Sequence, residues 1–471
     1  MMKNLIAFFR SQSFVKIILI ILFVISRTYI YLNPPEFYSD VTADYERYAN
    51  TWRYGLTPYR MVLYEYPPAT IPLLALPLEI DQLGIGNYYA NYRFQIMVID
   101  AVFFGLLLIV LPKLAWFDQQ KYWPLLAYLG LTSLAKNFFY EGIDLAFAAA
   151  IIISFIVLLW SRTQTQNKKH AHQAFLLKVI SWTFFWLSFA IKFLTFPLII
   201  PLWLIHRSVN LKKDLAAVMT GCLVVWGLPL MLYRTSLGVS VVYNLRRPIK
   251  YASFPAYLIR WVDYFTNTET QIMKAPDFER VGPISTVVTN GLQIVFPLAI
   301  LLILWWAVNL LVKKLVKKPL LKGVKHQLTH PAQTLKTYWQ LFLGQDIKLK
   351  QVDQQNKLFY LLKIYGIYVF VLFLTAKIFS QPFHIWYLPL LVLFPFAKTR
   401  DWGLAVGAAV LMVALDTAEF LHLKNIFGPE PYFIDKELLS LIRDGFRFLP
   451  MLVMLKLLVS SSFANYQSSK S

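Results

Sequence analysis

The sequence has little charge and almost no cysteine. Only 15% of its 471 residues are charged, against 58% that are hydrophobic and 17% that are aromatic. The mean hydropathy of +0.52 excludes a soluble domain of ordinary composition. The single cysteine, Cys222, excludes an internal disulfide and a cysteine-based metal cluster. The composition therefore predicts a protein embedded in a bilayer.

Signals of a nucleotide-sugar enzyme are also missing. No glycine-rich phosphate loop follows a strand, and no carboxylate pair lies in a soluble domain. Lys and Arg together number 46 against 25 Asp and Glu, a net charge of +21. In a membrane protein such an excess belongs to cytoplasmic loops and to anionic lipid. Membrane lipid is therefore expected as a partner, and nucleic acid is not.

Apolar runs predict where the chain crosses the bilayer. If about 20 apolar residues make one crossing, and shorter runs are covered by neighbours, the fold class is an all-α, multi-pass bundle of about twelve helices. The proline-rich run 67–80 is assigned to an interfacial helix instead. The predicted spans are 15–32, 91–112, 123–139, 144–160, 175–191, 194–206, 214–232, 290–312, 358–379, 384–398, 402–421 and 445–460.

The basic residues then predict the orientation. Most short Lys- and Arg-containing loops fall on one side together with both termini, as expected for the cytoplasmic side. The opposite side receives the long segments 33–90 and 233–289, the first and fourth outer loops. The basic stretch 313–357 is expected to be a cytoplasmic linker. It would separate a transmembrane module at 1–312 from a C-terminal transmembrane module at 358–471.

Charged residues collect near the outer ends of the predicted helices. A charge at a helix centre costs on the order of 3 kcal/mol, so this placement is informative. It suggests a polar chamber that opens to the outer leaflet. Snorkelling to the headgroups or local pairing is the alternative for each residue. The residues are Arg27, Arg93, Lys136, Lys192, Lys377, Asp416 and Glu419, together with Glu141, Asp144 and His384, and with Asp100 deeper.

The first outer segment carries acidic and aromatic residues where a short polar turn would be ordinary. Asp40 and Asp44 are four residues apart, so in a helix both would project from one face. Asp40 could instead cap a helix that begins at Val41, and Asp144 could cap the fourth helix. His384 has the alternative of an ordinary hydrogen-bonded interfacial histidine.

The second long outer segment is rich in arginine, which an outer loop needs only if it holds something anionic. Arg246 and Arg247, with Lys250 nearby, could grip a phosphate by charge-assisted bonds. Aromatic residues beside them would suit an isoprenoid chain or a sugar face. Headgroup anchoring by an interfacial loop is the alternative.

This order of motifs resembles the GT-C superfamily of membrane glycosyltransferases. Within it, the sequence is similar to glycosyltransferase family 87, which includes bacterial phosphatidylinositol-mannoside mannosyltransferases. Supporting motifs are Gly142-Ile143-Asp144, Lys192 with Pro197, and the run from His384 to Pro389. The main block follows the first span and reads Ser39-Asp40, Tyr45, Gly55, Pro58-Tyr59 and Tyr66-Pro67-Pro68.

The resemblance implies a GT-C-like fold and an inverting hexosyltransferase. The sugar, mannose by family analogy, would move from a polyprenyl-phosphate donor to a lipid or glycan acceptor at the extracytoplasmic face. A bacterial cytoplasmic membrane is implied as the location. Because the second acid lies four residues on and is not adjacent, no metal or other cofactor is expected.

The resemblance also implies roles for individual residues. Asp40 would be the general base that takes the proton of the acceptor hydroxyl. The leaving lipid phosphate would need cations, and the candidates are Arg246, Arg247, Lys250 and Lys192. Supporting acids or acceptor contacts would be Asp44, Tyr45, Tyr59 and Asp144, with Glu141 and His384 as further candidates in the outer chamber.

A transporter or flippase of an anionic lipid-linked substrate is the alternative function. It would also need an interior chamber, arginines and broken helices. Transporters are typically built from two related halves, whereas this sequence divides unequally at its basic linker. A catalytically silent scaffold descended from such an enzyme is a third possibility.

Overall fold

The computed structural model describes residues 12–35, 39–161, 171–207, 210–250, 252–266, 271–273, 279–315, 327, 333, 354–396, 398–420 and 436–462. The end of the predicted span 402–421, at residue 421, and most of the predicted linker 313–357 lie outside this part of the chain. The side chain of Glu419 lies outside it as well.

Helices form most of the described chain. Short 3-10 segments precede or join several of them, and a π-helical turn, Val41–Tyr45, precedes α2. The α-helices are α1 Gln12–Leu32, α2 Glu46–Arg53, α3 Thr70–Gln82, α4 Tyr88–Val110, α5 Phe117–Gln120, α6 Trp123–Leu134, α7 Lys136–Phe139, α8 Asp144–Ser161, α9 Ala171–Ile191, α10 Ile199–His206, α11 Leu211–Tyr233, α12 Gly238–Arg246, α13 Phe254–Thr266, α14 Pro283–Leu315, α15 Gln354–Thr375, α16 Leu388–Leu393, α17 Thr399–Phe420 and α18 Lys436–Ser460.

Six helical stretches of the described chain are long and apolar enough to cross a membrane. Together with the composition, they make the chain an integral membrane protein of helical type. Helical segments lie within every interval predicted as a span, although residues 376–379 and 394–396 of two of these intervals are not helical. The number of crossings stays a prediction. The six stretches are Gln12–Leu32, Tyr88–Lys113, His172–Ile191, Leu211–Arg246, Pro283–Lys313 and Gln355–Thr375.

The C-terminal helices pack directly on the N-terminal ones. Helix α9 lies between α8 and α11, α15 packs against α8, α14 and α18, and α16 and α17 pack against α6. Trp116, Trp182 and Trp386 are fully buried in the core that these helices share. The modules expected at 1–312 and 358–471 are therefore in extensive contact, and their division stays a prediction.

A small antiparallel sheet lies in the second long segment, where an all-α chain was expected. Its strands are β1 Ile249–Lys250, β2 Gln271–Met273 and β3 Glu279–Val281, in the order β1-β3-β2. Ile249 pairs with Arg280, and Gln271 pairs with Val281. Strands of two or three residues are too short to produce a readable alternation, so the all-α expectation was wrong at this point.

Candidate active site

Asp40 lies half-exposed at the start of the π-helical turn that leads into α2. Its side chain makes no capping hydrogen bond to that turn, so the capping alternative does not describe it. The preceding residue holds the turn. The Ser39 hydroxyl accepts a hydrogen bond from the Val41 amide at 3.1 Å, and the Ser39 carbonyl accepts one from the Ala43 amide at 3.0 Å.

Glu141 connects this turn to the helical bundle. The Ser39 hydroxyl donates to Glu141 Oε2, and the Tyr89 hydroxyl donates to Oε1 at 3.1 Å. Arg93 Nε lies 3.0 Å from the same Oε1. The guanidinium also donates to two of the last carbonyls of α1, at 2.6 and 2.9 Å. Through Glu141, the turn that carries Asp40 is fixed to α4 and α1.

Glu141 is buried, and its environment contains opposing influences. Burial raises the pKa of its carboxyl group, while the hydrogen bond from Ser39, the charge of Arg93 and the hydrogen bond from Tyr89 lower it. The net direction is upward. Both carboxyl oxygens are used inside the protein, which suits a structural connection better than contact with a substrate.

Asp144, at the start of α8, is paired with Lys192. Lys192 Nζ lies 2.6 Å from Asp144 Oδ1, and Trp386 Nε1 donates to the same oxygen at 2.5 Å. The ammonium group also lies over the rings of Phe383 and Trp386, 4.4 and 4.8 Å from their centres. A Cβ atom at Gly142 would come within 2.9 Å of Asp144 Oδ2, so the closeness of this turn depends on glycine.

Tyr92, in the first turns of α4, lies within electrostatic range of three acids. Its phenol interacts electrostatically with Asp40, Glu141 and Asp144. The buried Tyr92 hydroxyl has no hydrogen-bond partner among the described residues. The sequence reading missed Tyr92 and Tyr89, although their spacing with Arg93 places all three on one face of α4. Asp40, Glu141 and Asp144 thus lie near one another around this phenol, and their expected roles stay predictions.

Tyr45 lies beside Asp40 and is buried. Burial, followed by the neighbouring Tyr92 and the charges of Asp40 and Asp144, raises its pKa well above the ordinary value. Its ring packs edge-on against Tyr66 at 5.7 Å, and the pKa of Tyr66 is also raised, first by burial. Both phenols stay neutral, so Tyr45 can offer a hydrogen bond to a substrate but cannot act as a base at ordinary pH.

Asp44 and Tyr59, also expected to contact the acceptor, are engaged with other parts of the first segment. Asp44 forms an ion pair with exposed Arg47 at 2.6 Å. Tyr59 has a positive φ of 65° and donates its hydroxyl to the Tyr66 carbonyl at 2.7 Å. It packs against Tyr64 and Tyr233. Tyr59 therefore shapes the segment, and its expected contact with an acceptor stays a prediction.

The two adjacent arginines of the second segment have different environments. Arg246 is exposed at the end of α12. Arg247 is buried, and its guanidinium lies 3.1 Å from Glu65 Oε2 in the first segment. Lys377 Nζ donates to the Leu245 and Arg247 carbonyls at 2.7 and 2.5 Å, so it holds the end of α12 to the segment that follows α15.

The ion pair between Arg247 and Glu65 shows where the second segment lies relative to Asp40. Tyr66 follows Glu65 in the chain and interacts electrostatically with both Glu65 and Asp40. Asp40 and Arg247 therefore lie at the same end of the bundle, where α1 finishes and α4 begins. Lys250 is half-buried in β1, with its amide bonded to the Lys377 carbonyl at 2.9 Å.

His384 has partners on both ring nitrogens. Nε2 pairs with Asp416 Oδ2, and the Tyr387 hydroxyl lies 3.2 Å from Nδ1. Arg447 donates to Asp416 Oδ1 at 2.9 Å and to the Ala252 carbonyl at 2.7 Å. His384 is thus a hydrogen-bonded histidine in a buried group, which is the alternative that the sequence left open.

Deeper in the bundle, Arg27 pairs with Asp100 at 2.6 Å, and Tyr128 donates to the same carboxylate at 2.7 Å. Arg93, Lys192 and Asp416 are paired in the same way at the Asp40 end of the bundle. Local pairing therefore describes most of the charges found at the helix ends, and the chamber that they would line stays a prediction.

Within the described ranges, no group of three or more His, Cys, Asp or Glu side chains is placed to hold a metal ion. The expectation of a metal-free reaction stays a prediction.

Comparison with known proteins does not assign this chain to a family. No family model matches the sequence. No curated protein matches it either. Among solved structures, the archaeal oligosaccharyltransferase AglB from Archaeoglobus fulgidus, in complex with an inhibitory peptide and a dolichol-phosphate, is similar with a TM-score of 0.40 and 14% identity. The match covers 97% of this chain and 56% of that protein. No family is established by these comparisons.

Proposed function

We propose that this protein is a membrane glycosyltransferase of the GT-C type, with Asp40 as its general base. The observation that carries the proposal is the contrast in exposure among the acids around Tyr92. Glu141 and Asp144 are buried and ion-paired, whereas Asp40 is half-exposed. A base has to reach the proton that it removes, and Asp40 is the member of this group that a substrate can reach.

The proposed reaction needs one proton acceptor. The acceptor hydroxyl oxygen bonds to the anomeric carbon of the donor while the bond from that carbon to the lipid phosphate breaks. The hydroxyl proton passes to Asp40, and the phosphate leaves as an anion. A positioned carboxylate contributes about 10²- to 10⁴-fold to such a step. A hexose, mannose by analogy, and a polyprenyl-phosphate donor remain part of the proposal.

The surroundings of Asp40 support this role. The neighbouring phenols of Tyr45 and Tyr66 are neutral because burial raises their pKa values. They can orient a hydroxyl without competing for its proton. The nearby charge of Glu141 is offset by Arg93, so Glu141 adds little repulsion towards the phosphate of the donor.

The cations assigned to the leaving phosphate fall into two groups. Arg247 and Lys192 already hold carboxylates, at 3.1 and 2.6 Å. In the proposed reaction the phosphate replaces Glu65 on Arg247, or Asp144 on Lys192. Arg246 is exposed and needs no such exchange. Phosphate binding by these residues stabilises the charge that develops as the bond breaks.

The test is a transfer assay with purified protein in lipid vesicles. Radiolabelled polyprenyl-phosphate mannose or glucose is supplied with a panel of lipid acceptors. We expect Asp40→Asn to lower transfer by about 100-fold or more, because the amide cannot accept the proton. Glu46→Gln is the matched control, since Glu46 is a half-buried acid in the same segment. It should stay within about twofold of wild type.

Other outcomes would count against the proposal. Undiminished transfer by Asp40→Asn would remove Asp40 from the mechanism. If the protein consumes no donor while labelled lipid still crosses the bilayer, the transporter alternative is correct.

A further inference from the structure

Helix α13 exposes an apolar stripe although it lies outside the candidate spans. Leu258, Trp261, Val262 and Phe265 follow the spacing i, i+3, i+4 and i+7, so they share one face of the helix. Leu258, Val262 and Phe265 are 49%, 45% and 74% exposed. The opposite face, with Ala256, is buried. A stripe of this kind in water would be costly, so its surroundings need an explanation.

The buried face of α13 rests on the first half of α18. Arg260 forms an ion pair with Asp444, and both side chains are buried. The rings of Phe254 and Tyr257 lie 5.0 and 5.3 Å from the ring of Phe448. These contacts place α13 at the level of residues 444–448 of α18.

At this level the surface of α18 is itself apolar and exposed. Ile442, Phe446, Leu449 and Leu452 are 43%, 54%, 54% and 49% exposed. They recur at three- or four-residue intervals, so they form one outward face of the helix. Helix α14, which α13 also contacts, is a candidate span with a similarly exposed apolar surface. The helices that carry the stripe's neighbours, α14 and α18, therefore also expose apolar surface of the kind that faces lipid.

We propose that α13 lies in the membrane interface, with its outward stripe in contact with acyl chains of the leaflet at the Asp40 end of the bundle. Leu258, Val262 and Phe265 would enter the apolar layer. Trp261 and Tyr264, both half-buried, would lie at headgroup level, where such side chains are favoured. This inference does not depend on the proposed sugar transfer.

The placement of α13 has a consequence for the candidate site. Arg447 of α18 donates to the Ala252 carbonyl, just before α13, and also to Asp416, the partner of His384. The segment from Arg247 to Ala252 is therefore held directly next to the interfacial helix. A bound lipid phosphate would meet this segment at headgroup depth.

Spin labelling can test the position of α13. In a Cys222→Ser background, the only cysteine is introduced at Leu258, Val262 or Phe265 and labelled. The protein is reconstituted in vesicles of phosphatidylcholine and phosphatidylglycerol. Oxygen, which enters the acyl layer, and a nickel chelate, which stays in water, then report the surroundings of each label. Leu223→Cys, 62% exposed on α11, is the lipid reference, and Arg53→Cys, exposed at the end of α2, is the water reference.

We expect the ratio of oxygen to nickel accessibility at the three α13 positions to exceed that at Arg53 by about threefold or more, and to approach that at Leu223. Ratios equal to that at Arg53 would overturn the inference, because the stripe would then face water. Low accessibility to both reagents would also overturn it. In that case spin–spin broadening between labels would identify a second copy of the chain as the occupant, and its absence would identify another protein surface. Gel filtration of each labelled variant confirms that the fold is retained.

Discussion

The two long segments at the Asp40 end of the bundle use their polar residues differently. The first, residues 39–87, buries a set of tyrosines and leaves Asp40 half-exposed. The second, residues 233–282, is basic, yet Arg247 and Arg260 are consumed in ion pairs with Glu65 and Asp444. The number of charges in a segment is therefore a poor guide to its chemistry. What distinguishes the two segments is which charge remains accessible.

The largest effect on stability is expected from the buried ion pair between Arg260 and Asp444. The side chains are 0% and 4% exposed. We expect Arg260→Met to lower the free energy of unfolding by about 1.5 to 3 kcal/mol, because the buried carboxylate then keeps only Arg443, at 2.9 Å, as its charged partner. Denaturant unfolding in detergent micelles measures this change.

The control for this prediction is the double variant Arg260→Met with Asp444→Leu. Removing both charges should restore much of the lost stability, since no buried charge is then left unpaired. A loss below about 1 kcal/mol for the single variant would mean that Arg260 is effectively solvated, like an ordinary surface ion pair.

A smaller effect, on the donor KM, is expected for the ion pair between Arg247 and Glu65. The two partners should respond differently to substitution. If Arg247 exchanges Glu65 for the donor phosphate, Arg247→Gln should raise the donor KM by about tenfold, since a hydrogen bond to a charged group is worth about 1.5 to 3 kcal/mol. Glu65→Gln should lower the donor KM or leave it unchanged, because the arginine no longer has a competing carboxylate. Steady-state kinetics with varied donor measures both values. An equal rise in KM for both variants would show that the pair only holds the segments together.

Loss of the hydrogen bond from Ser39 to Glu141 is expected to have a still smaller effect. It should act on kcat, because this bond holds the turn that carries Asp40. We expect Ser39→Ala to lower kcat by roughly tenfold with little change in donor KM, because the turn that carries the base loses a bond to a charged group. Ser39→Thr keeps the hydroxyl and should recover most of the activity. Failure of Thr to recover it, with equal losses in kcat and stability, would show a general structural effect.

The smallest expected effect is the pH dependence of stability that Glu141 contributes. Burial raises the pKa of this carboxyl group in the folded protein, so the folded state holds the proton more firmly than the unfolded state. Its contribution to stability is therefore present below the ordinary pKa and falls as the pH rises through that value towards the raised one. Thermal unfolding of wild type should show this decline, and Glu141→Gln should not. Parallel curves for the two proteins would exclude Glu141 as its source.

The helical arrangement could be read from the sequence because apolar runs have a length that the bilayer imposes. Helical segments occupy the predicted run 194–206. The run 67–80 contains most of α3, whose expected position in the membrane interface stays a prediction. The polar pairs could not be read in the same way. Arg27 and Asp100 are 73 residues apart, and Arg260 and Asp444 are 184 apart. Which charges meet is decided by packing between helices, for which no local pattern exists.

The candidate site was predictable in part. Asp40, Glu141 and Asp144 were expected at one end of the bundle and interact there with Tyr92. The partners that neutralise two of them, Arg93 and Lys192, were identified only as charges at helix ends. Tyr92 itself was missed, because a tyrosine near the start of an apolar helix has an ordinary interfacial explanation.

The central claim is that Asp40 is the reactive acid of a group whose other members hold the fold. The most direct test measures kcat and the free energy of unfolding on the same preparation of Asp40→Asn. We expect kcat to fall by about 100-fold or more while the free energy of unfolding stays within about 0.5 kcal/mol of wild type. A wild-type kcat, or a loss of stability as large as that of Arg260→Met, would contradict the account.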